Sequence, residues 1–332
     1  MNKPDLNQTP ILIADIGGTN ARFALSSQQA PFFNSAQTLQ CADFDMFEEA
    51  IDAYLRTHEI KKLSGICFAV AGPIDDGRVE FTNNHWKIDS AKLSSEHQLH
   101  KIKLLNDFEA IAYSLARLTS IEDSDSFESI NGNWLFDTKP DFTVGIVGPG
   151  SGLGVAGLNQ RNGELFANVT EGGHAGFSPE NIQQLEILRY LHQKYDDRVS
   201  CERLISGPGM VNIHEALCQI AGQENPSLSA ADIANTAVNG SDSLCQQTFE
   251  LFFEILGQVA GDLALTIGAF DGIFIAGGIA QRYPEQLNNS NFRTGFENKG
   301  RHRHLLEATP TWLITHKNPG LLGASVYAQQ YL

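Results

Sequence analysis

Short apolar runs alternate with stretches of helical spacing along the first part of the chain. Ile11 to Asp15 and Ala21 to Leu25 are apolar runs on either side of Gly17-Gly18-Thr19-Asn20, a pattern that predicts a β-hairpin. Met46 to Leu55 then has helical spacing, and the same criteria predict strands at Gly65 to Val70 and Ile102 to Leu105 and a helix at Phe108 to Leu118. Strands that alternate with helices are typical of an α/β fold with much parallel sheet.

The pattern stops from Ser120 to Asp141, where small polar and acidic residues dominate, and we place a domain boundary or a long surface excursion there. It restarts with a second predicted hairpin, Thr143 to Val147 and Leu153 to Leu158, around Gly148-Pro-Gly-Ser-Gly152. Two hairpins with glycine turns, each opening an α/β half, indicate a duplicated fold. In such a fold the two turns would face each other across a cleft.

Helical spacing dominates the rest of the chain. It predicts helices at Leu185 to Tyr195, Met210 to Ile220 and Ser243 to Phe270, with a break in the last one near Gly257 or Gly261. A predicted strand, Gly272 to Ala276, runs into Gly277-Gly278, and a small helix is expected over Leu321 to Gln329.

Length and composition narrow the class of protein. A chain of 332 residues predicts about two domains, and 42% hydrophobic with 19% charged residues excludes a mostly disordered chain. The net charge of −16 repels nucleic acid and anionic membrane surfaces, so neither is expected as a partner. No apolar run approaches the roughly 20 residues of a membrane span, and no export signal is seen.

The five cysteines are widely spaced and contain no Cys-x-x-Cys pair, so nothing in their spacing suggests zinc or redox work. We expect buried thiols in a reducing cytoplasm.

The first motif with chemical potential is Asp15-Ile-Gly-Gly-Thr19-Asn20 at a strand end. Its glycines let the backbone approach a ligand, and backbone N–H groups with the Thr19 hydroxyl can hold phosphate oxygens. Asp15 would then face Mg²⁺ or the γ-phosphate. The alternative is a tight hairpin turn with an aspartate at its edge. Walker and Gly-x-Gly-x-x-Gly motifs are absent, so a nucleotide must be held in another way.

Two further glycine elements follow strands. Gly148-Pro-Gly-Ser151-Gly-Leu-Gly154 offers a second backbone cradle with a hydroxyl group, or is simply a glycine-rich hairpin. Gly277-Gly278 would leave room for a flat ring such as adenine.

Carboxylates and one histidine supply the remaining candidates. Asn106-Asp107 precedes a helix, where Asn106 can cap and Asp107 can act as a proton acceptor at the positive helix end. Glu171 and His174, around two glycines, can bind several hydroxyl groups, although a lone histidine is more often structural. Glu202 precedes a glycine-rich turn, and its alternative is a solvated helix residue. Asn83-Asn84-His85-Trp86 is either a buried aromatic anchor or a pocket wall.

Seven segments together resemble one family, the bacterial ATP-dependent glucokinases. The segments occur in family order over nearly the whole chain: Ala14-Asp-Ile-Gly-Gly-Thr-Asn-Ala-Arg22, Leu105-Asn-Asp-Phe108, Gly150-Ser-Gly-Leu-Gly154, Thr170-Glu-Gly-Gly-His174, Cys201-Glu-Arg-Leu-Ile-Ser-Gly-Pro-Gly209, Phe274-Ile-Ala-Gly-Gly-Ile279 and Asn318-Pro-Gly-Leu-Leu-Gly323. The cysteine-rich zinc motif of the related repressor/kinase (ROK) sugar kinases is absent. The chain therefore resembles the non-ROK branch.

The resemblance implies an actin-like, ribonuclease-H-like α/β fold with the active site in an interdomain cleft. The small domain would comprise residues 1–117 and 312–332, and the large domain residues 118–311. The implied activity is ATP-dependent phosphorylation of the glucose 6-hydroxyl, in a cytoplasmic homodimer. The alternatives are a kinase for fructose, mannose or an N-acetyl sugar, and a non-catalytic actin-like sugar or nucleotide sensor.

The resemblance also assigns roles to residues. Asp107 would be the catalytic base, and the sugar would be bound by Asn106, Asp107, Glu171, His174 and Glu202. Asp15 would serve Mg²⁺, indirectly. ATP would be held by Ala14, Asp15, Ile16, Gly17, Gly18, Thr19, Asn20, Gly150, Ser151, Gly152, Gly277 and Gly278.

Overall fold

The computed structural model describes residues 9–28, 32–81, 84–118, 126–132 and 139–332. The chain forms two compact units: unit 1 is Met1–Ser124 with His316–Leu332, and unit 2 is Asp125–Thr315. The boundaries expected from the sequence, 117/118 and 311/312, lie a few residues before these.

Strands and helices alternate within both units. Among the described residues the strands are β1 (Ile11–Ile16), β2 (Asn20–Ser26), β3 (Phe33–Gln40), β4 (Gly65–Val70), β5 (Ile74–Asp75), β6 (Arg78–Glu80), β7 (Lys87–Asp89), β8 (Ile102–Asn106), β9 (Phe127–Ser129), β10 (Phe142–Pro149), β11 (Leu153–Arg161), β12 (Glu164–Val169), β13 (Gly272–Ile275) and β14 (Thr311–Ile314). The helices are α1 (Phe47–Thr57), α2 (Ser90–His97), α3 (Asp107–Leu118), α4 (Ile182–Tyr195), α5 (Gly207–Ala221), α6 (Ala230–Val238), α7 (Ser243–Ile267), α8 (Gly278–Arg282), α9 (Pro284–Asn289), α10 (Phe292–Glu297), α11 (Arg303–Ala308) and α12 (Pro319–Tyr331). The predicted α/β class is confirmed.

The main sheet of unit 1 has the order β3-β2-β1-β4-β8, with β1, β4 and β8 parallel and β2 and β3 antiparallel. Every residue of β4 is buried, as its continuous apolar run predicts. The register pairs Ile16 with Val70 and Val70 with Asn106, so β1, β4 and β8 end at one edge. In open α/β sheets this carboxyl edge is where ligands bind.

The sheet of unit 2 has the order β12-β11-β10-β13-β14-β9, with β10, β13 and β14 parallel. Its first five strands repeat the order and directions of unit 1, which confirms the duplication expected from the two hairpins. Strand β9 lies in the segment Ser120 to Asp141, where no element was predicted. Residues 120–125 and 133–138 of that segment lie outside the described residues.

The predicted break in the longest helix is wrong, because α7 is continuous. A Cβ atom at Gly257 would overlap the Phe292 carbonyl, and one at Gly261 would overlap the Phe296 carbonyl. These glycines therefore let α10 pack against the backbone of α7. The helix ends before the predicted Phe270 because Gly268 adopts a φ of 69° and caps it.

Helix α12 returns to unit 1, where it packs on α3, β1 and β4. A Cβ atom at Gly323 would overlap the Ala110 carbonyl, so the two helices touch backbone to backbone at this point.

Two expectations from composition are also answered. All five cysteines are free and buried. Among the described helices, none combines the length and apolar character that a membrane span requires.

Candidate active site

The glycine loop after β1 is a tight turn. Its carbonyl groups accept hydrogen bonds from residues within and around the loop. The Gly17 N–H donates to the Asn20 carbonyl (2.9 Å), and Asn84 Nδ2 donates to the Gly17 carbonyl (3.2 Å). The Cys41 N–H donates to the Thr19 carbonyl (2.9 Å). Thr19 is exposed, so its hydroxyl group can reach a ligand. The segment is therefore a tight turn, and this shape does not prevent it from binding phosphate.

The carboxylate of Asp15 lies between Arg22 and the first turn of α12. Arg22 Nη1 is 3.7 Å from Asp15 Oδ2, and a Cβ atom at Gly320 would lie 2.9 Å from Asp15 Cγ. Burial raises the pKa of Asp15, while the charge of Arg22 opposes that rise. Because residue 320 is glycine, the Asp15 carboxylate fits against the first turn of α12. The dipole of that helix favours an anion at this end.

Three other residues predicted to contact the nucleotide lie in the same hairpin. Ala14 and Ile16 are fully buried in the core of unit 1, so their side chains serve packing. The Asn20 side chain accepts a hydrogen bond from Gln40 Nε2 (2.7 Å).

Asn106 and Asp107 stand where β8 meets α3. Asn106 Oδ1 accepts the Phe108 N–H (2.9 Å), and Glu109 Oε2 accepts the Asn106 N–H (3.2 Å), which together form a reciprocal capping box. Asp107 Oδ1 also accepts the Phe108 N–H (2.9 Å). The predicted cap at Asn106 is confirmed. Asp107 presents a half-buried carboxylate in the first turn of α3, and its catalytic role stays a prediction.

The glycine loop after β10 is tied to the start of α5. The Gly150 N–H donates to the Gly152 carbonyl (2.8 Å), and the Gly207 N–H donates to the Gly150 carbonyl (2.8 Å). Ser151 is exposed at the tip of the loop. The helix therefore fixes the shape of this second cradle.

Glu202, in the short 3-10 helix Cys201–Arg203, lies against this loop. Glu202 Oε2 accepts the Leu153 N–H (2.9 Å), and a Cβ atom at Gly152 would lie 2.5 Å from the same oxygen. His174 Nδ1 is 3.9 Å from Glu202 Oε1, and His174 Nε2 is 3.9 Å from Glu171 Oε2. The Glu202 side chain is 32% exposed and bound to the loop, which disfavours the alternative of a solvated helix residue.

The two glycines between Glu171 and His174 are required by packing. A Cβ atom at Gly173 would overlap the Leu153 carbonyl, so the 3-10 helix Gly172–His174 lies flat on β11. Arg198 Nη2 donates to the His174 carbonyl (2.7 Å) and holds the segment from the other side. This close approach brings Glu171 and His174 beside Glu202.

The third glycine element packs on the end of β10. Gly277 has a φ of 86°, and a Cβ atom there would overlap the Pro149 carbonyl. A Cβ atom at Gly278 would meet no atom within 4 Å, so there is open space beside the start of α8. This is the space predicted for a flat ring.

Each unit thus gathers its own set of predicted residues. Unit 1 places the Asp15 loop and the Asn106-Asp107 pair at the carboxyl edge of its sheet, and unit 2 gathers Glu202, His174 and the two glycine loops. Sequence reasoning missed the roles of Gly320 and Glu109. Signals for both exist, since Asn-Pro-Gly is typical of a helix start and Glu three residues after Asn106 completes a capping box.

Magnesium fits the residues around Asp15. Mg²⁺ prefers a few carboxylate oxygens, water and phosphate oxygens. The Asp15 carboxylate, 24% exposed beside Gly320, which leaves it room, offers that kind of oxygen next to the glycine loop after β1.

Known proteins similar to this chain match it over nearly its full length. A family model described as Glucokinase matches residues 12–331. The chain is 40% identical over 333 residues to the curated protein "Glucokinase" of Xylella fastidiosa (strain M12), covering 99% of this chain and 97% of the relative.

Solved structures agree as well. The crystal structure of a glucokinase from an Antarctic psychrotroph has a TM-score of 0.86 and 34% identity, covering 96% of this chain and 98% of that chain. The glucokinase from Balamuthia mandrillaris in complex with glucose has a TM-score of 0.79 at 24% identity, covering 98% and 95%, which shows a shared fold.

Proposed function

This chain belongs to the glucokinase family, and on that basis we propose that it transfers the γ-phosphoryl group of ATP to the 6-hydroxyl group of glucose. The products are glucose 6-phosphate and ADP. The structural observation that carries the proposal is the Asn106-Asp107 pair, because it sets a carboxylate in the first turn of a capped helix at the carboxyl edge of a sheet.

Asp107 is assigned as the base that orients the 6-hydroxyl group and takes its proton. The positive end of α3 favours the ionised carboxylate, which is the proton-accepting form. Asn106 holds the start of that helix with its Oδ1 atom, which leaves its Nδ2 group to donate to a sugar hydroxyl. The capping box therefore also orients the base.

Glu171, His174 and Glu202 are assigned to the other sugar hydroxyl groups. Carboxylates accept hydrogen bonds from hydroxyl groups, and the imidazole can donate or accept. The fixed spacing of these three side chains would favour one arrangement of hydroxyl groups, because a sugar that lacks one would leave a polar group unpaired.

The glycine elements are assigned to ATP. The Gly17 and Gly150 N–H groups are bonded within their own loops, so backbone N–H and hydroxyl groups at Gly18-Thr19 and at Ser151-Gly152 would bind phosphate oxygens. The open space at Gly278 would take the adenine ring. Asp15 would hold Mg²⁺ indirectly. When bound, the cation would neutralise charge on the phosphates, and such positioning and neutralisation are most of what phosphoryl transfer requires.

We further infer a cytoplasmic homodimer that acts in glycolysis. Five free, buried cysteines are typical of a protein kept in a reducing compartment. The dimer rests on the resemblance alone, and light scattering after size-exclusion chromatography tests it.

The experiment that tests the function is a sugar panel with Mg·ATP in a coupled ADP-release assay. We expect the highest kcat/KM with glucose and much lower values with fructose, mannose and N-acetylglucosamine. A better substrate among those sugars would reassign the chain to another hexose. Binding of glucose without turnover of any sugar would make it a sensor.

A further inference from the structure

A cluster of metal-ligating side chains lies where α5 meets α7, outside the residues assigned above to glucose and ATP. His214 and Cys218 are four residues apart on α5, a spacing that places both on one face of the helix. Asp242 is the N-cap of α7, and Cys245 is the third residue of that helix. We call these four residues the helix-pair cluster.

The side chains of the helix-pair cluster converge on the ring of His214. Cys245 Sγ is 3.6 Å from His214 Nε2, and Cys218 Sγ is 3.8 Å from His214 Nδ1. One ligand atom each from His214, Asp242 and Cys245 lie within 4.8 Å of one another. His214, Cys218 and Cys245 are buried, whereas Asp242 is exposed, so the cluster has an entrance from solvent.

Hydrogen bonding alone is a weak explanation for this grouping. In the described part of the chain, the hydrogen-bond contacts of the His214 ring run to cysteine sulfur atoms, which are weak donors and weak acceptors. Asp242 Oδ1 is occupied by the Cys245 N–H (2.8 Å), an ordinary helix cap that uses one oxygen of the carboxylate. The Cys245 thiol also reaches this carboxylate, so these two ligand-type side chains are already in contact.

The donor set suits zinc. Thiolate sulfur, imidazole nitrogen and carboxylate oxygen are its usual ligands, in tetrahedral sites. Zinc bonds of about 2.3 Å to sulfur and about 2.0–2.1 Å to nitrogen place those two atoms about 3.5 Å apart across a tetrahedral angle. The distance of 3.6 Å between Cys245 Sγ and His214 Nε2 already matches this value.

We propose that the helix-pair cluster binds one zinc ion through His214, Cys245 and Asp242, with Cys218 beside the His214 ring. The ion would deprotonate the Cys245 thiol and clamp the middle of α5 to the start of α7. Since the first residue of α5 is hydrogen-bonded to the Gly150 loop, the same clamp would steady that loop. The inference stands independently of the proposed function.

The test uses Co²⁺ as the probe, because Zn²⁺ is a d¹⁰ ion and Co²⁺ shows its coordination in its absorption spectrum. The full-length protein is reduced, stripped with a chelator and titrated with Co²⁺. We expect one equivalent to produce a thiolate-to-cobalt charge-transfer band with intense visible d–d bands, and one equivalent of Zn²⁺ to abolish both. Zn²⁺ should also raise the Tm of the stripped protein.

Two variants locate the ion. Asp242→Asn keeps the helix cap, because asparagine also caps helices, but removes the anionic ligand. It should weaken Co²⁺ binding by at least the roughly 10–100-fold that loss of an outer hydrogen-bond partner costs. Asp89→Asn, at the N-cap of α2, is the matched control and should bind as the wild type does. Cys245→Ser should abolish the charge-transfer band from that thiolate.

The absence of a charge-transfer band, or of any Zn²⁺-dependent change in Tm, in the wild-type protein would overturn the proposal. So would an unchanged Co²⁺ affinity in folded Cys245→Ser. If Cys245→Ser does not fold, Asp242→Asn decides, and wild-type affinity in that variant overturns the site as proposed.

Discussion

At the scale of single residues, three carboxylates with different assigned tasks have different surroundings. Asp15 is partly buried, with a raised pKa and with Arg22 nearby. Asp107 lies in the first turn of a helix, and Glu202 is bound to a loop N–H and faces a histidine. Each carboxylate is therefore held by different partners, which fits the different roles assigned to it.

Asp107→Asn should keep the fold and the binding of glucose, because asparagine has the same shape and can still accept the Phe108 N–H. It removes the proton acceptor, so kcat should fall by about 10²–10⁴-fold. The measurements are steady-state kinetics and calorimetric glucose binding without nucleotide. Asp52→Asn, on the exposed face of α1, is the control. A nearly normal kcat in Asp107→Asn would show that Asp107 has no catalytic function.

Asp15→Asn should lower turnover with Mg·ATP by about 10²-fold or more, the scale of a group that stabilises developing charge, while glucose affinity measured by calorimetry changes little. A large loss of glucose affinity would move Asp15 to the sugar.

The same variant has a predicted effect on stability. Because burial raises the pKa of Asp15 above its ordinary value of 3.8, the wild-type free energy of unfolding decreases as the pH rises through the folded-state pKa. The cost is complete above the folded-state pKa, and asparagine removes it at every pH. The variant should therefore unfold at the same or a higher temperature at neutral pH. A lower Tm would show that the Arg22 pair outweighs burial.

Glu202→Gln keeps an acceptor for the Leu153 N–H but loses the charge that faces His174 and the sugar. Hydrogen bonds to charged groups contribute about 1.5–3 kcal/mol, so glucose binding should weaken by about 10–100-fold. Discrimination among deoxy-glucoses should change as well. Glu186→Gln, on the exposed face of α4, is the control. Unchanged discrimination would remove Glu202 from the sugar site.

At the scale of elements, local patterns predicted the hairpins and the parallel strands. A short continuous apolar run such as Gly65 to Val70 favours a buried strand over a helix, and the glycine turn after it marks its end. The second copy of the hairpin after Phe142 indicated the duplication. These features depend on neighbours in sequence, which is why they were visible.

Contacts between distant segments could not be predicted in the same way. The glycines of α7 suggested a break in the helix. Instead, their missing side chains let α10, about 35 residues further along the chain, pack against the α7 backbone. Gly320 and Asp15 are in contact although they lie far apart in the sequence. The thiols of Cys218 and Cys245 both contact the ring of His214, although the two cysteines are 27 residues apart in the sequence.

Gly323→Ala tests the backbone contact between α3 and α12. In an open helix this change is worth up to about 1 kcal/mol in favour of alanine, but here the added methyl group overlaps the Ala110 carbonyl. Overpacking typically costs about 1–3 kcal/mol, so the free energy of unfolding by urea should decrease. Gly72→Ala, where the new Cβ atom would be 3.6 Å from Val79, should change little. If Gly323→Ala were as stable as the wild type, α3 and α12 could move apart at no cost in stability.

At the scale of the whole molecule, the chain has the actin-like fold of two related α/β units, and the residues assigned to glucose belong to both. We therefore expect glucose to slow hydrogen exchange in unit 1 around Asn106-Asp107 and in unit 2 around Glu171 to His174. Mass spectrometry with saturating glucose measures this, with a sugar that is not phosphorylated as the control. Protection in one unit alone would contradict the division of roles.

The return of α12 to unit 1 also affects how the protein is made. A ribosome releases all of residues 9–118 early, but the helix that covers β1 and β4 emerges only after the whole of unit 2 has been translated. At roughly 5–20 residues per second, unit 1 waits about 10–40 s with an apolar sheet face uncovered. Unit 2 is continuous in sequence and need not wait. Newly made chains should thus depend on chaperones through unit 1, and slow translation of residues 125–315 should lower the yield of active protein.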